Sequence, residues 1–174
     1  GRSLRPFYTT PTGITGACCN DSDKYSWKIA KIGAKAWADV TMSSDGIKIF
    51  APVSGSFIFI SEDSGVTWRQ TAISTWWNSI SASSDGTKLI ANNGTIGGLT
   101  GVLFYSLDSG NTWNSSVTPQ AGGAFEQVTS SNDGQYVIVT RSKTSISTNS
   151  ICVRSTNFGQ NWSNVSNLSS SNAE

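Results

Sequence analysis

Two stretches of this chain, Ser61-Glu-Asp-Ser-Gly-Val-Thr-Trp68 and Ser106-Leu-Asp-Ser-Gly-Asn-Thr-Trp113, differ only at their second and sixth residues. A looser copy, Ser155-Thr-Asn-Phe-Gly-Gln-Asn-Trp162, keeps the Ser, Gly and Trp, and a worn one, Asn20-Asp-Ser-Asp-Lys-Tyr-Ser-Trp27, keeps mainly the Trp. The four tryptophans stand 41, 45 and 49 residues apart. A second element precedes each good octet: Trp37 to Gly46, Trp77 to Gly86 and Phe125 to Gly134, each an aromatic nine residues before the Gly of an Asp-Gly pair. Self-similarity at a period of about 40–50 residues is the mark of a repeat architecture.

Each unit divides into four short strands. The first runs from the aromatic to Asp-Gly, a hairpin signal that predicts positive φ at both turn residues. The second follows at once, as Ile47–Ala51, Thr87–Ala91 and Gln135–Thr140. The third is Phe57–Ile60, Val102–Tyr105 and Ile151–Arg154, and the octet turn joins it to a fourth strand beginning at the Trp. Near-continuous apolar runs in strands two and three predict burial on both faces, as when sheet stacks on sheet. Four-stranded units at this period predict an all-β fold, a β-propeller of antiparallel blades. In the octet the Asp or Asn can accept backbone N–H bonds, the Gly can take positive φ, and the Trp can pack between sheets. Ser61, Asp63, Gly65, Trp68, Ser106, Asp108, Gly110, Trp113, Ser155, Asn157, Gly159 and Trp162 are therefore assigned to a structural staple.

The octets resemble the Asp-box, or BNR, repeat of sialidase-like propellers, some plant-cell-wall glucanases, sortilin-type receptors and a photosystem assembly factor. The resemblance covers roughly residues 20–168 and implies a propeller whose Asp boxes lie at the outer turns of the blades, remote from the ligand site. It does not imply one activity, because the same repeat serves hydrolases, lectins and receptors. Sialidases also carry an Arg-Ile-Pro element, an arginine triad and a Tyr/Glu nucleophile with an Asp acid. Here Arg5-Pro6 lacks the intervening Ile, and Arg2, Arg69, Arg141 and Arg154 form no such pattern.

The blades fall at 1–36, a degenerate unit, then 37–76, 77–124 and 125–168, with a Ser/Asn-rich tail at 169–174. Three arrangements remain open: a fragment of a larger propeller, a closed four-bladed ring, and a partial ring completed by another chain. Open blade edges invite self-association.

Composition narrows the function. Lys+Arg 12 against Asp+Glu 11 gives a net charge of +1, with no basic cluster for nucleic acid or an anionic membrane. The chain has no His, which removes the commonest general base and the commonest zinc ligand. No metal cluster, cofactor loop, nucleophile motif or membrane-spanning run is present. The opening Gly-Arg-Ser-Leu, without Met, reads as a processed or excised end. Cys18, Cys19 and Cys152 make an odd count, read either as small buried hydrophobes or as one pair with Cys152. Sequons at Asn20, Asn93, Asn114, Asn161, Asn164 and Asn167 are compatible with an extracellular or cell-surface location.

Strand alternation puts the Asp-Gly and octet turns at one end of each blade and the variable loops at the other. Rigid scaffolds carry function on such loops. The expected binding face therefore includes Arg69, Trp76, Trp77, Asn92, Asn93, Gln120, Arg141 and Lys143. In the extended pair Trp76-Trp77 only one ring can face a given side, and an exposed indole suits sugar stacking or a protein contact. The expectation is a non-catalytic recognition module for a glycan or protein. Alternatives are a structural subunit joined through blade edges and a sialidase-like hydrolase fragment whose carboxylates would be Asp39 and Glu126, since glycoside hydrolysis needs two.

Overall fold

The computed structural model describes residues 32–94, 101–118, 125–141 and 152–165. These form twelve strands in three sheets and, among the described residues, no helix. The first sheet holds β1 (Thr41–Met42), β2 (Ile49–Pro52), β3 (Ser56–Ser61) and β4 (Arg69–Thr75). The second holds β5 (Trp77–Ala82), β6 (Leu89–Asn93), β7 (Leu103–Ser106) and β8 (Asn114–Ser116). The third holds β9 (Phe125–Ser130), β10 (Val137–Arg141), β11 (Cys152–Ser155) and β12 (Ser163–Asn164). Each is an antiparallel meander in chain order. The register repeats: Ile49 pairs with Ser61, Leu89 with Ser106 and Val137 with Ser155, so strand two always begins opposite the octet serine.

The octet is closed by its own side chains. Ser61 Oγ accepts from Gly65 N–H at 2.8 Å, and Asp63 Oδ1 accepts from Thr67 N–H at 2.8 Å. Trp68 Nε1 donates to Gly65 O at 3.0 Å. Ser106, Asp108, Thr112 and Trp113 repeat these bonds. In the third copy the Asn157 amide oxygen replaces the carboxylate, accepting from Asn161 N–H at 2.9 Å. Two consecutive residues are left-handed in each octet: Ser64 and Gly65, Ser109 and Gly110, Phe158 and Gly159. The non-glycine member costs strain that this bond set holds in place.

The Asp-Gly turns differ from the expected two-residue hairpin. Only the glycines, Gly46, Gly86 and Gly134, have positive φ. Ser43 N–H bonds Lys48 O at 2.9 Å, and Asp45 Oδ1 accepts from Ser43 Oγ at 2.6 Å and from Ile47 N–H at 2.9 Å. Side-chain caps thus stabilise a wider loop, and strand two begins two residues later than expected, at Ile49, Leu89 and Val137. The two turn types do share one end of each sheet: Ser64 N–H bonds Ile47 O at 2.9 Å, and Ser109 N–H bonds Thr87 O at 2.8 Å.

The sheets stack face to face as consecutive blades. Phe50, Ile58 and Ile60 of the first pack on Trp77, Ile80 and Leu89 of the second. Ile90 and Leu103 of the second pack on Phe125, Val128, Val137 and Val153 of the third. Full burial of each such side chain contributes roughly 1.5–3 kcal/mol. Polar links run alongside: Ser44 N–H to Ser84 O at 2.7 Å, and Ser84 N–H to Asn132 O at 2.6 Å. Burial on both faces holds for β2, β3 and β6 but not for β10, where Val137 and Val139 are buried while Ile138 and Thr140 are exposed. That alternation belongs to a sheet with one covered face among the described residues.

Candidate functional site

At the end of the blades opposite the octets the repeat breaks. In the first and third units the residue before the opening aromatic is alanine, Ala36 and Ala124; in the second it is Trp76. Side-chain direction alternates across the extended pair, so Trp77 turns inward and Trp76 outward. Trp77 is buried, with its ring edge-on to Phe104 at 5.2 Å and tilted to Trp113 at 5.9 Å. Trp76 is 52% exposed. Its ring lies on Gly55, where a Cβ would stand 3.6 Å from three ring atoms. Gly55 has φ +74°, so the glycine serves both the tight turn between β2 and β3 and the bed for the indole.

Asn93 and Gly94 flank the same corner. Trp76 O accepts from Gly94 N–H at 2.7 Å, and Asn93 Nδ2 donates to Thr75 Oγ1 at 3.3 Å while its Oδ1 accepts from Val102 N–H at 2.5 Å. Both ends of the Asn93 amide are thus engaged in holding the corner. Asn78 carries it toward the third blade, donating to Phe125 O at 3.0 Å and Glu126 O at 2.8 Å. On the Phe125 ring rests the Arg141 guanidinium, 4.5 Å from the centroid, with Nη2 donating to Thr118 Oγ1 at 2.9 Å. Burial pushes the Arg141 pKa below its ordinary value. On the first blade, Lys35 Nζ lies 4.9 Å from the Phe59 ring centre, and Trp37 meets the same ring edge-on at 5.7 Å.

Three expected members of the face belong elsewhere. Trp77 and Asn92 are taken up by the core: Asn92 is buried, accepts from Ser79 N–H at 2.7 Å and donates to Glu126 O at 3.4 Å. Arg69 directly follows the octet Trp, which fixes it at the opposite end, where it pairs with Glu62 at 3.4 Å and donates to Ser109 O at 3.1 Å. Gln120 and Lys143 lie outside the described residues, as do Cys18 and Cys19, while Cys152 is buried and its thiol pushed up by that burial. Gly55, Asn78, Lys35 and Thr118 were not anticipated; the Ser54-Gly55 pair between two apolar runs was the available turn signal.

The described aspartates are hydrogen-bonded. Asp39 Oδ2 accepts from Ser79 Oγ at 2.9 Å and Ile80 N–H at 3.0 Å, latching the first blade to the second. At the octet end, the Thr67 hydroxyl and then its N–H hold Asp63 down at about 2, and the Ser83 hydroxyl with Thr87 N–H holds Asp85 at about 2. For Asp108 burial pushes upward, but the hydroxyl and N–H of Thr112 outweigh it and the net shift is down. These acids are turn acceptors kept ionised. Among the described residues there is no group of three or more metal-ligating side chains and no helix long and apolar enough to cross a membrane.

No family model matches the sequence, and no curated protein matches it significantly. Solved structures are similar. The chain aligns with YCF48 bound to D1 peptide at a TM-score of 0.58 and 15% identity, over 78% of this chain and 41% of that one. It aligns with a GH74 enzyme of Niastella koreensis at 0.57 and 13%, over 75% and 22%. With the hydrazine synthase of Kuenenia stuttgartiensis the values are 0.58 and 14%, over 79% and 38%. These are β-propeller proteins, and the three sheets are consecutive blades of that fold. The chain spans less than half the length of each.

Proposed function

We propose that this chain is an Asp-box propeller recognition module, acting outside the cell or at its surface, that binds a protein segment at the blade end opposite the octets. The observation that carries this reading is Trp76. It replaces the alanine of the other two units, it is half-exposed, and its ring lies against Gly55 rather than being buried with its neighbour. A large aromatic with few rotamers loses little side-chain entropy on contact, and Trp is enriched at protein hot spots. The backbone around it is tied down by Asn93, Gly94 and Asn78. That one similar propeller has been solved with a peptide bound supports a protein ligand over a glycan. Exposed Asn114, Asn161 and Asn164, each opening an Asn-x-Ser sequon, suit a secreted or surface protein.

The test is to probe peptide and glycan arrays with the chain and its Trp76→Ala variant. That substitution restores the repeat's own residue, so the melting temperature should be unchanged. Peptide binding should weaken roughly thirtyfold, the equivalent of an anchor worth about 2 kcal/mol. Binding confined to glycans, or peptide binding indifferent to Trp76, would overturn the reading.

A further inference from the structure

What an anchor such as Trp76 can recognise depends on the polar groups left unused beside it. The Asn93 amide is engaged at both ends, by Thr75 Oγ1 and by Val102 N–H, and the Asn78 amide is given to Phe125 O and Glu126 O. Asp39 of the first blade has Oδ1 taken by Val40 N–H at 2.8 Å and Oδ2 by Ser79 Oγ and Ile80 N–H. The other described carboxylates of that blade, Asp45, Glu62 and Asp63, stand at the octet end. A cationic ligand would therefore meet no open carboxylate among the described residues of the first blade at the Trp76 end.

Lys35 is in the opposite situation. The turn between β2 and β3 brings it to the indole: Ser54 N–H donates to Ala36 O, next to Lys35, at 2.9 Å, Trp37 bridges to Val53, and Gly55 abuts the Trp76 ring. The Lys35 side chain is exposed, with Nζ 4.9 Å from the Phe59 ring centre. That ring attracts the ammonium without neutralising it, and no carboxylate among the described residues pairs with it. Arg141, at the same end of the third blade, is by contrast seated on Phe125 and bonded to Thr118. An ammonium has three N–H donors and no acceptor, so its complement on a ligand is an acceptor, and an anion above all.

Resting on the reading of Trp76 as the anchor of a protein segment, we propose that this segment is acidic. It places an aromatic or large aliphatic side chain against the Trp76 indole and an Asp or Glu carboxylate on the Lys35 ammonium. The indole supplies most of the affinity. The exposed charge pair adds preference and orientation, and because no carboxylate stands open beside it, the same corner discriminates against basic segments.

The probe is an array of hexapeptides, acetylated and amidated so that neither terminus is charged, read with the full chain at about 20 mM salt and again at about 0.5 M. Bound peptides should carry Asp or Glu together with an aromatic or large aliphatic residue. Exchanging that acid for its amide in the peptide should weaken binding about three- to fivefold at low salt, a difference that closes at high salt, as for an exposed charge pair. Lys35→Gln should bind the acid and amide peptides alike, Lys35→Arg should keep the difference, and Trp76→Ala should weaken both peptides. A bound set dominated by basic or neutral peptides, or an acid preference that survives Lys35→Gln, would overturn this proposal and leave Trp76 as an anchor. Binding indifferent to Trp76→Ala, or no peptide bound at all, would overturn both the proposal and the reading on which it rests.

Discussion

Among the described glycines the least room for a Cβ lies where an octet glycine meets the preceding sheet, and this sets a quantitative test. A Cβ on Gly110 would stand 2.5 Å from Ile60 Cδ1 and 3.2 Å from Leu89 Cδ1, at φ +79°. Gly46, with φ +73°, has nothing within 4 Å of the same built atom. Alanine at Gly46 therefore incurs only the left-handed backbone cost, about 1–2 kcal/mol. Alanine at Gly110 incurs that cost and overpacks a site where Ile60 is buried and unable to swing aside, adding about 1–3 kcal/mol. Ile60→Val removes the clashing methyl and alone costs about 0.5–1.5 kcal/mol. Combined with Gly110→Ala it should cost less than the sum, by about the overpacking contribution. Urea unfolding monitored by Trp fluorescence reads the midpoints, compared at unchanged m. Coincident midpoints for Gly110→Ala and Gly46→Ala, or strict additivity in the double variant, would refute the steric account of the blade interface.

Two further outcomes are expected. Trp77→Ala should destabilise the chain by about 3–5 kcal/mol, while its neighbour Trp76→Ala leaves the urea midpoint unchanged; comparable losses would show that the two rings share one environment. Stability should also fall in acid. Asp63 and Asp85 lie near 2 in the folded chain against an ordinary 3.8, so they favour folding above both values, and that contribution disappears as pH drops from about 4 toward 2. Thermal melts across that range should show the decline, and Asp63→Asn should flatten it, because the amide of Asn157 already fills this role without titrating.

The octet was legible because its bonds are local: the partners of Ser61, Asp63 and Trp68 lie within four residues in the chain. Blade order followed from the same period. What escaped the sequence depends on distant partners. Asn92 reads as a loop polar residue, yet its acceptors and donors are Ser79, thirteen residues away, and Glu126 in another blade. Trp77 and Trp76 are chemically identical in sequence and are separated only by which face the backbone gives each. The left-handed Ser64, Ser109 and Phe158 carry no signal of their own, since serine and phenylalanine rarely adopt that region and do so here under the pull of neighbouring bonds. The strand-two starts were misplaced because Asp-Gly was read by backbone preference, whereas the Ser43 and Asp45 side chains set the loop width.

The two ends of the blades divide the work for a physical reason. At the octet end the same bonds recur in each blade, and the glycines of successive octets meet the isoleucines of the preceding sheet, Gly110 on Ile60 and Gly159 on Ile90. A substitution tolerated there must satisfy both its own turn and a neighbouring sheet, which leaves little freedom for a ligand. At the other end the contacts are individual: the Trp76 ring on Gly55, the Arg141 guanidinium on Phe125 and the Lys35 ammonium over Phe59. Each involves one or two residues beyond the shared register, so each can change without unpacking the stack. An exposed indole at the place of two alanines is what such freedom permits. Under the proposed function, with the blades held from the octet side, the variable end would present it on a fixed backbone, where preorganisation rather than buried area would set its value for binding.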